Sequence, residues 1–450
     1  MATPPDAGIS AADIPQGLSG IRLEPDIPIC QTDLPLDWYQ EEFKTYAEEY
    51  LALADRKPET VLPWMDSYIR PALAEIGSDL VLLAHYYMGG EIVKLVERYG
   101  GMIADSYLLA RQAVLHPEKR LFVESAVHFM AEAISLLAGP DQQVWITNPR
   151  SGCTMEMMAK EFMVAPAWER LHERYGDGIM VIAYMNTSGR IKALAGASGG
   201  AVCTSSNAGA IMSWARAQGR KILFVPDQHL GRNVAAEVGI PPDRIHLLAA
   251  GHEGGEIDAQ RLESIDRAEL ILWGSFCGVH TVFLPEHVDF WRERGYRVVV
   301  HPECPREVVS VADAAGSTRF LWNHVMREVP DGTRVAVGTE GHFVRNLSEQ
   351  ARRRNIDVVH LADVPGGEQA GCGCATMSRN DPPHLVALLD LLREGRGPDL
   401  NRVLPGDVVD EISGYRERLD PEGQSRVAAD ARKALEKMIE ITEGSEPRTV

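Results

Sequence analysis

The 450-residue chain has no run of about 18 uncharged apolar residues, the length a helix needs to cross a bilayer, so no membrane role is expected. It is short of basic residues. Lys and Arg number 45 against 64 Asp and Glu, a net charge of −19. That field repels a polyphosphate backbone, and nucleic acid is not an expected partner. Small anions remain admissible, because helix N-termini hold them locally. The opening MATPPDAGISAADIPQ lacks the basic and apolar segments of a secretion leader, which gives a cytoplasmic expectation. The chain has only seven cysteines, and none forms a CxxC pair. In a reducing compartment they read as metal ligands, reactive thiols or small buried residues rather than disulfides. No GxGxxG follows the first strand-like run, which weighs against a Rossmann dinucleotide enzyme.

What remains is an ordinary globular composition, 45% apolar and 24% charged, in a chain long enough for about two to four domains. Residues 1 to 35 are rich in Pro, Asp, Gly and Ser and read as an extension. Helical spacing follows over Trp38–Leu53 and Thr60–Ile76. Short β-rich runs then alternate with amphipathic segments: DLVLLAHYY, KRLFVESA, QQVWITNP, GIMVIAYMN, KILFVPD, AELILWGSFC, YRVVVHPEC, TRVAVGTE and IDVVHLAD. Such alternation argues for parallel βαβ units covered on both faces. His384–Arg396 and Gly423–Ile441 read as closing helices.

One pattern occurs three times. Each unit opens with a strand ending in polar residues: His85-Tyr86-Tyr87, Tyr184-Met185-Asn186, His301-Pro302-Glu303. A small hydroxyl-bearing turn follows, at Ser106, at Thr204-Ser205-Ser206 and at Ser317-Thr318. A second strand ends in an acid, Glu124, Asp227 or Glu340, and a last turn delivers Cys153, Cys277 or Cys374. The intervals are unequal, so this is a triplicated fold rather than a solenoid. The boundaries read as 1–70 for the extension and first helices, then units at 71–155, 156–278 and 279–375. Residues 376–450 would complete the first unit. The expected fold is three similar Rossmann-like α/β domains in pseudo-threefold arrangement. Ligand crevices in such sheets lie at the carboxyl ends of strands, so three units around one axis would aim those ends at a shared cavity.

Three equivalently placed cysteines would then converge. Three thiolates are one short of a closed zinc site. On a 4Fe–4S cluster they would leave one iron free to act as a Lewis acid. Cys372 and Cys374 compete for the third position, while Cys30, Cys203 and Cys304 read as structural.

The ordered strings AHYY, ADS, VHFMAE, SGCTM, YMNTSGRIKA, CTSSNA, VPDQHLGR, WGSFCGVH, HPEC, ADAAGST, VGTE and CATMSRN cover roughly residues 75 to 385. As a set they resemble the quinolinate synthase family of NAD biosynthesis. The resemblance implies condensation of iminoaspartate with dihydroxyacetone phosphate to quinolinate, phosphate and water. It also implies a 4Fe–4S cluster on Cys153, Cys277 and Cys374. Cys374 is the family's third cysteine, since Met377 and Asn380 follow it at the expected offsets. The family's substrate contacts map to His85, Ser106, Tyr184–Asn186, Ser205, His301, Pro302, Glu303 and Thr318. An aspartate-oxidising enzyme is the implied source of iminoaspartate.

The residues suit that chemistry. His85, Tyr87, Tyr184, His301 and Glu303 are expected to move protons. Ser106, Ser205 and Thr318, at turns that open helices, suit carboxylate or phosphate oxygens, and Ser106 is also expected to cap its helix. Asp227, His229, Glu124 and Glu340 are expected to order the surroundings, the last two from equivalent positions. Arg352–Arg354 reads as a solvated face. Two other classes stay open: a different cluster-bearing dehydratase or lyase, and a non-catalytic metal sensor with a closed four-ligand site.

Overall fold

The computed structural model describes residues 34–88, 90–250, 259–365, 373–410 and 414–445; Cys30 and Cys372 lie outside them. Three parallel sheets succeed one another along the chain. The first contains β1 (Leu80–His85), β2 (Met102–Ala104), β3 (Leu121–Ser125) and β4 (Gln143–Ile146), in the order β2-β1-β3-β4. The second contains β5 (Ile179–Tyr184), β6 (Ala201–Cys203), β7 (Lys221–Val225), β8 (Ile245–Leu248) and β9 (Leu270–Trp273), in the order β6-β5-β7-β9-β8. The third contains β10 (Arg297–Val300), β11 (Ala314–Ala315), β12 (Arg334–Gly338) and β13 (Asp357–His360), in the order β11-β10-β12-β13. With β8 as an added edge strand, the three orders are the same. The fold is α/β, built from repeated βαβ units, as the alternation in sequence predicts.

Burial along the strands shows which way the units face. β3, β4, β7, β10 and β12 each begin at a partly or fully exposed residue and end buried. β5, IMVIAY, is buried throughout, as expected for a strand covered on both faces. The carboxyl ends of the strands therefore point inward.

Helices at both ends of the chain close the assembly. Pro58–Ile76 packs against Pro382–Arg393, and the hydroxyl of Tyr46 donates to Asp390 at 2.8 Å. The long helix Pro421–Ser445 lies on His128–Leu137, Gly189–Ala197 and β6, bridging the first and second sheets. This crossing requires Gly196, because a Cβ there would stand 1.8 Å from the carbonyl oxygen of Asp430. Buried polar side chains bonded to backbone tie the same region. The Glu132 carboxylate accepts from the backbone N–H of Gly189 at 2.6 Å and of Gly406 at 2.8 Å. The fully buried Lys192 donates to the carbonyl of Thr187. Arg354 also departs from the solvated face expected of its run, since it is half-buried and donates to the carbonyls of Val325, Met326 and Val329.

The expected equivalence of Glu124 with Glu340 fails. Asp227 and Glu340 lie two residues beyond their strands and cap helices, whereas Glu124 lies inside β3. The matching cap position in the first unit is Val127. Glu124 shares register with Leu83 and Ile146, both in the apolar cluster on one face of the sheet, and neither of its carboxyl oxygens has a hydrogen-bond partner. Burial raises its pKa to about 8. Unfolded, the group ionises near its ordinary value. Between the two values the native state holds the extra proton, so stability falls as pH rises. Glu124→Leu is expected to stabilise the protein by about 1–3 kcal/mol. The gain in melting temperature should be larger near pH 8 than near pH 5, and a gain that does not grow with pH would show that the carboxyl has a partner.

Candidate active site

The inward strand ends surround a cavity of 770 Å³. β1 supplies His85 and, just beyond it, Tyr87. β5 supplies Tyr184, Met185 and Asn186, and the segment after β10 supplies His301 and Glu303. Ser106, Ser205 and Thr318 line the same space, as do Cys153, Cys277 and Cys374. Of the residues expected to contact substrate, move protons or hold metal, Pro302 alone faces elsewhere, into a crevice that adjoins the cavity at Ser205 and Ser206. Met130, Met155, Met185 and Met377 supply apolar wall.

Both histidines at the strand ends fold back on their own chain. His85 Nδ1 accepts from the backbone N–H of Tyr87 at 3.2 Å, and His301 Nδ1 accepts from that of Glu303 at 3.3 Å. With Nδ1 committed as an acceptor, the neutral ring carries its proton on Nε2. Burial lowers the pKa of His85 to about 4 and that of His301 to about 3. Each is thus a neutral Nε2–H donor near pH 7.

A chain of hydroxyl, imidazole and carboxylate groups crosses the cavity wall. Thr318 donates to the Tyr87 hydroxyl at 2.9 Å, and that hydroxyl lies 3.0 Å from Thr339 Oγ1. Thr339 Oγ1 in turn lies 3.0 Å from His280 Nε2, and His280 Nδ1 lies 2.8 Å from Glu303 Oε2. Glu303 Oε1 accepts from the Tyr184 hydroxyl. Burial alone would raise the pKa of Glu303, but His280 and His301 beside it and the Tyr184 hydrogen bond hold it below the usual carboxylate range. Burial and the Glu303 charge push Tyr184 and Tyr87 well above the ordinary phenol value. One ionised acid is therefore flanked by two protonated phenols.

His280 and Thr339 are the residues the sequence reading missed. His280 stands three residues after Cys277 in WGSFCGVH, and that spacing is its only sequence signal. His229 stays outside the cavity and lines a separate crevice.

The turn residues differ from expectation in one respect. Ser106 does not cap its helix. Asp105 does, accepting from the N–H of Leu108 at 3.0 Å. Ser317 likewise caps the helix that Thr318 begins, and Asn207 rather than Ser205 stands at the cap position of Ala208–Ala217. Neighbours thus cap the first and third helices, Asn207 turns its oxygen back to the N–H of Thr204, and Ser106, Ser205 and Thr318 sit on the cavity wall.

Cys153, Cys277 and Cys374 are free, half-buried thiols. Burial raises the pKa of all three; proximity to Cys374 raises Cys153 further, and Glu303, Cys153 and Cys374 raise Cys277 further. Thiols that oppose one another's ionisation become thiolates together only around shared cationic charge, so this donor set fits a metal group. Among the described residues no fourth thiol joins them: Cys203 and Cys304 are fully buried elsewhere. Cys277, His280 and Glu303 also present ligand atoms within 4.8 Å of one another. Glu303, however, already faces His280 with one oxygen and Tyr184 with the other.

Comparison with known proteins gives one answer. The profile of the quinolinate synthetase A protein family matches residues 68–440. A quinolinate synthase of Acidobacterium capsulatum is 39% identical over 401 residues, covering 88% of this chain and 95% of the relative. One of Streptomyces coelicolor is 38% identical over 330 residues, covering 72% and 80%. One of Geobacillus kaustophilus is 36% identical over 358 residues, covering 79% and 92%. The cavity that gathers the ends of three like sheets is thus found in a chain that belongs to the quinolinate synthetase A family.

Proposed function

We propose that this chain is a quinolinate synthase of NAD biosynthesis, condensing iminoaspartate with dihydroxyacetone phosphate to quinolinate, phosphate and water, and that a 4Fe–4S cluster on Cys153, Cys277 and Cys374 serves the reaction. The observation that carries the reading is the delivery of one thiol by each of three like units to a cavity whose remaining wall is hydroxyl, phenol, imidazole and carboxylate. When bound by three thiolates, such a cluster supplies an open iron that acts as a Lewis acid on substrate oxygens. The substrates are small molecules, and iminoaspartate comes from an aspartate-oxidising enzyme. No described helix is long and apolar enough to cross a membrane, in keeping with work in the cytoplasm.

Each side chain has a part that follows from its state. Ser106 and Ser205 hold the carboxylate and phosphate oxygens, joined by Thr318 once its hydroxyl turns from Tyr87, because the protein's charge of −19 cannot concentrate anions from a distance. His85 and His301 donate from Nε2 to substrate oxygens, because Nδ1 of each already accepts from its own chain and burial keeps the rings neutral. Glu303 is the base that accepts the proton lost as the ring forms. Tyr184, hydrogen-bonded to it, and Tyr87, on the same cavity wall, return protons to leaving oxygens. Asn186, whose amide lies 4.0 Å from Cys153 Sγ, orients substrate beside the metal group. The methionine walls exclude water from a site that must expel it.

Anaerobically purified protein is expected to carry four irons and four sulfides per chain and to form quinolinate from the two substrates. Cys153→Ser, Cys277→Ser and Cys374→Ser should each lose the cluster. Stoichiometric zinc bound through Cys277, His280 and Glu303 would replace this reading with a mononuclear site. Glu303→Gln should keep the cluster yet lose about 10²- to 10⁴-fold in kcat; turnover near that of the parent would move the base elsewhere. Ser205→Ala should weaken quinolinate binding roughly 10- to 150-fold, the equivalent of about 1.5–3 kcal/mol for a hydrogen bond to a charged oxygen. Because Ser205 is not a helix cap, the melting temperature should hold. A titration beside a thermal melt checks both, and a lower melt with normal affinity would contradict the anchoring role.

A further inference from the structure

Two of the three cavity cysteines are held by the same device. Asp227 stands two residues after β7 and caps the helix Gln228–Glu237. Its Oδ1 accepts from the N–H of Leu230 at 2.7 Å, and its Oδ2 accepts from the N–H of Cys277 at 3.1 Å. Glu340 stands two residues after β12 and caps the helix Gly341–Ala351. Its Oε2 accepts from the N–H of Phe343 at 2.9 Å, and its Oε1 accepts from the N–H of Cys374 at 2.9 Å. Both acids are fully buried.

Capping alone does not call for this arrangement. A cap needs one acceptor oxygen, and serine supplies it as well as aspartate does. A buried carboxylate carries a desolvation penalty that a hydroxyl avoids. In both units the second oxygen goes to the cysteine amide across the sheet end, and in Glu340 that oxygen also pairs with His342 Nδ1 at 2.8 Å. The approach is close enough to dictate a neighbour: a Cβ on Gly373 would stand 2.4 Å from Glu340 Oε1 and 2.0 Å from His342 Nδ1.

The first unit shows the contrast. Val127 occupies the cap position and offers no acceptor. The loop before Cys153 is held instead by Asn380, which donates to the carbonyl of Ala126 at 3.0 Å and to Ser151 Oγ at 2.8 Å, and accepts from Thr147 at 2.6 Å.

We propose that Asp227 and Glu340 are positioning residues for the metal-binding thiols, each carboxylate locking a helix start to the backbone of one cysteine so that Cys277 and Cys374 are placed before a metal arrives. The inference rests on reading Cys153, Cys277 and Cys374 as one ligand set. Hydrogen-bonded groups behind a ligand shell commonly carry 10- to 100-fold in metal affinity, and these two act through backbone rather than through sulfur.

Asp227→Ser and Glu340→Ser separate the two jobs, because serine keeps a cap acceptor on a side chain too short to reach the cysteine amide. The readout is titration of the reduced, metal-free full-length chain with Co²⁺ alone, followed by thiolate-to-cobalt absorption, beside a thermal melt. Each variant is expected to melt with the parent and to bind Co²⁺ about 10- to 100-fold more weakly. Parent-like affinity in a folded variant overturns the assignment for that residue. Should a serine variant melt early, Asp227→Asn and Glu340→Gln take its place. Each amide has one oxygen for two backbone donors, so the same weakening is expected, and parent-like affinity overturns the proposal. Cobalt bands that persist at full strength in Cys153→Ser would instead overturn the ligand set itself.

Discussion

The structure depends on one electrostatic constraint. Burial raises the pKa of all three half-buried cavity thiols, Cys374 raises Cys153 further and both raise Cys277, so joint ionisation calls for cationic charge among them. Three parallel sheets of the same strand order bring those thiols together, because the carboxyl ends of their strands are the buried ends. Triplication therefore does more than repeat a stable unit. It yields a threefold donor set with no fourth thiol among the described residues, and on the proposed cluster that symmetry would leave one coordination position open.

The rest of the cavity departs from symmetry, and the proposed chemistry rests on the departures. The first and third units carry histidine at the ends of their opening strands, folded back on the amide two residues further along to expose Nε2–H. The second ends in Tyr184, which reaches across to Glu303 of the third. One ionised acid thus lies among groups that hold their protons. A condensation that moves several protons needs this separation of one acceptor from several donors. The cavity combines it with apolar methionine walls, where each such interaction gains strength from the low local dielectric.

Much of this was legible in the sequence, because the repeat recurs as chemistry: polar strand ends, hydroxyl turns and cysteines in one order three times. Register to a single residue was not legible. Whether Asp105 or Ser106 caps its helix depends on where the strand stops, and the answer leaves the Ser106 hydroxyl on the cavity wall. Glu124 matched the pattern by type but lies inside β3, three residues before the true cap position at Val127. His280 went unread because a histidine three residues after a cysteine has many uses. Only the fold puts it 2.8 Å from Glu303. The bonds from Asp227 and Glu340 to the cysteine amides join residues 50 and 34 positions apart, beyond any local pattern.

The central claim is that three protein thiolates hold a cluster with one iron left for substrate. The most direct test is Mössbauer spectroscopy of ⁵⁷Fe-loaded, anaerobic protein before and after saturation with quinolinate. The account predicts that one iron in four changes its isomer shift and quadrupole splitting when the ligand binds, while the other three keep theirs. A spectrum that quinolinate leaves unchanged, or four equivalent irons in both states, would contradict it.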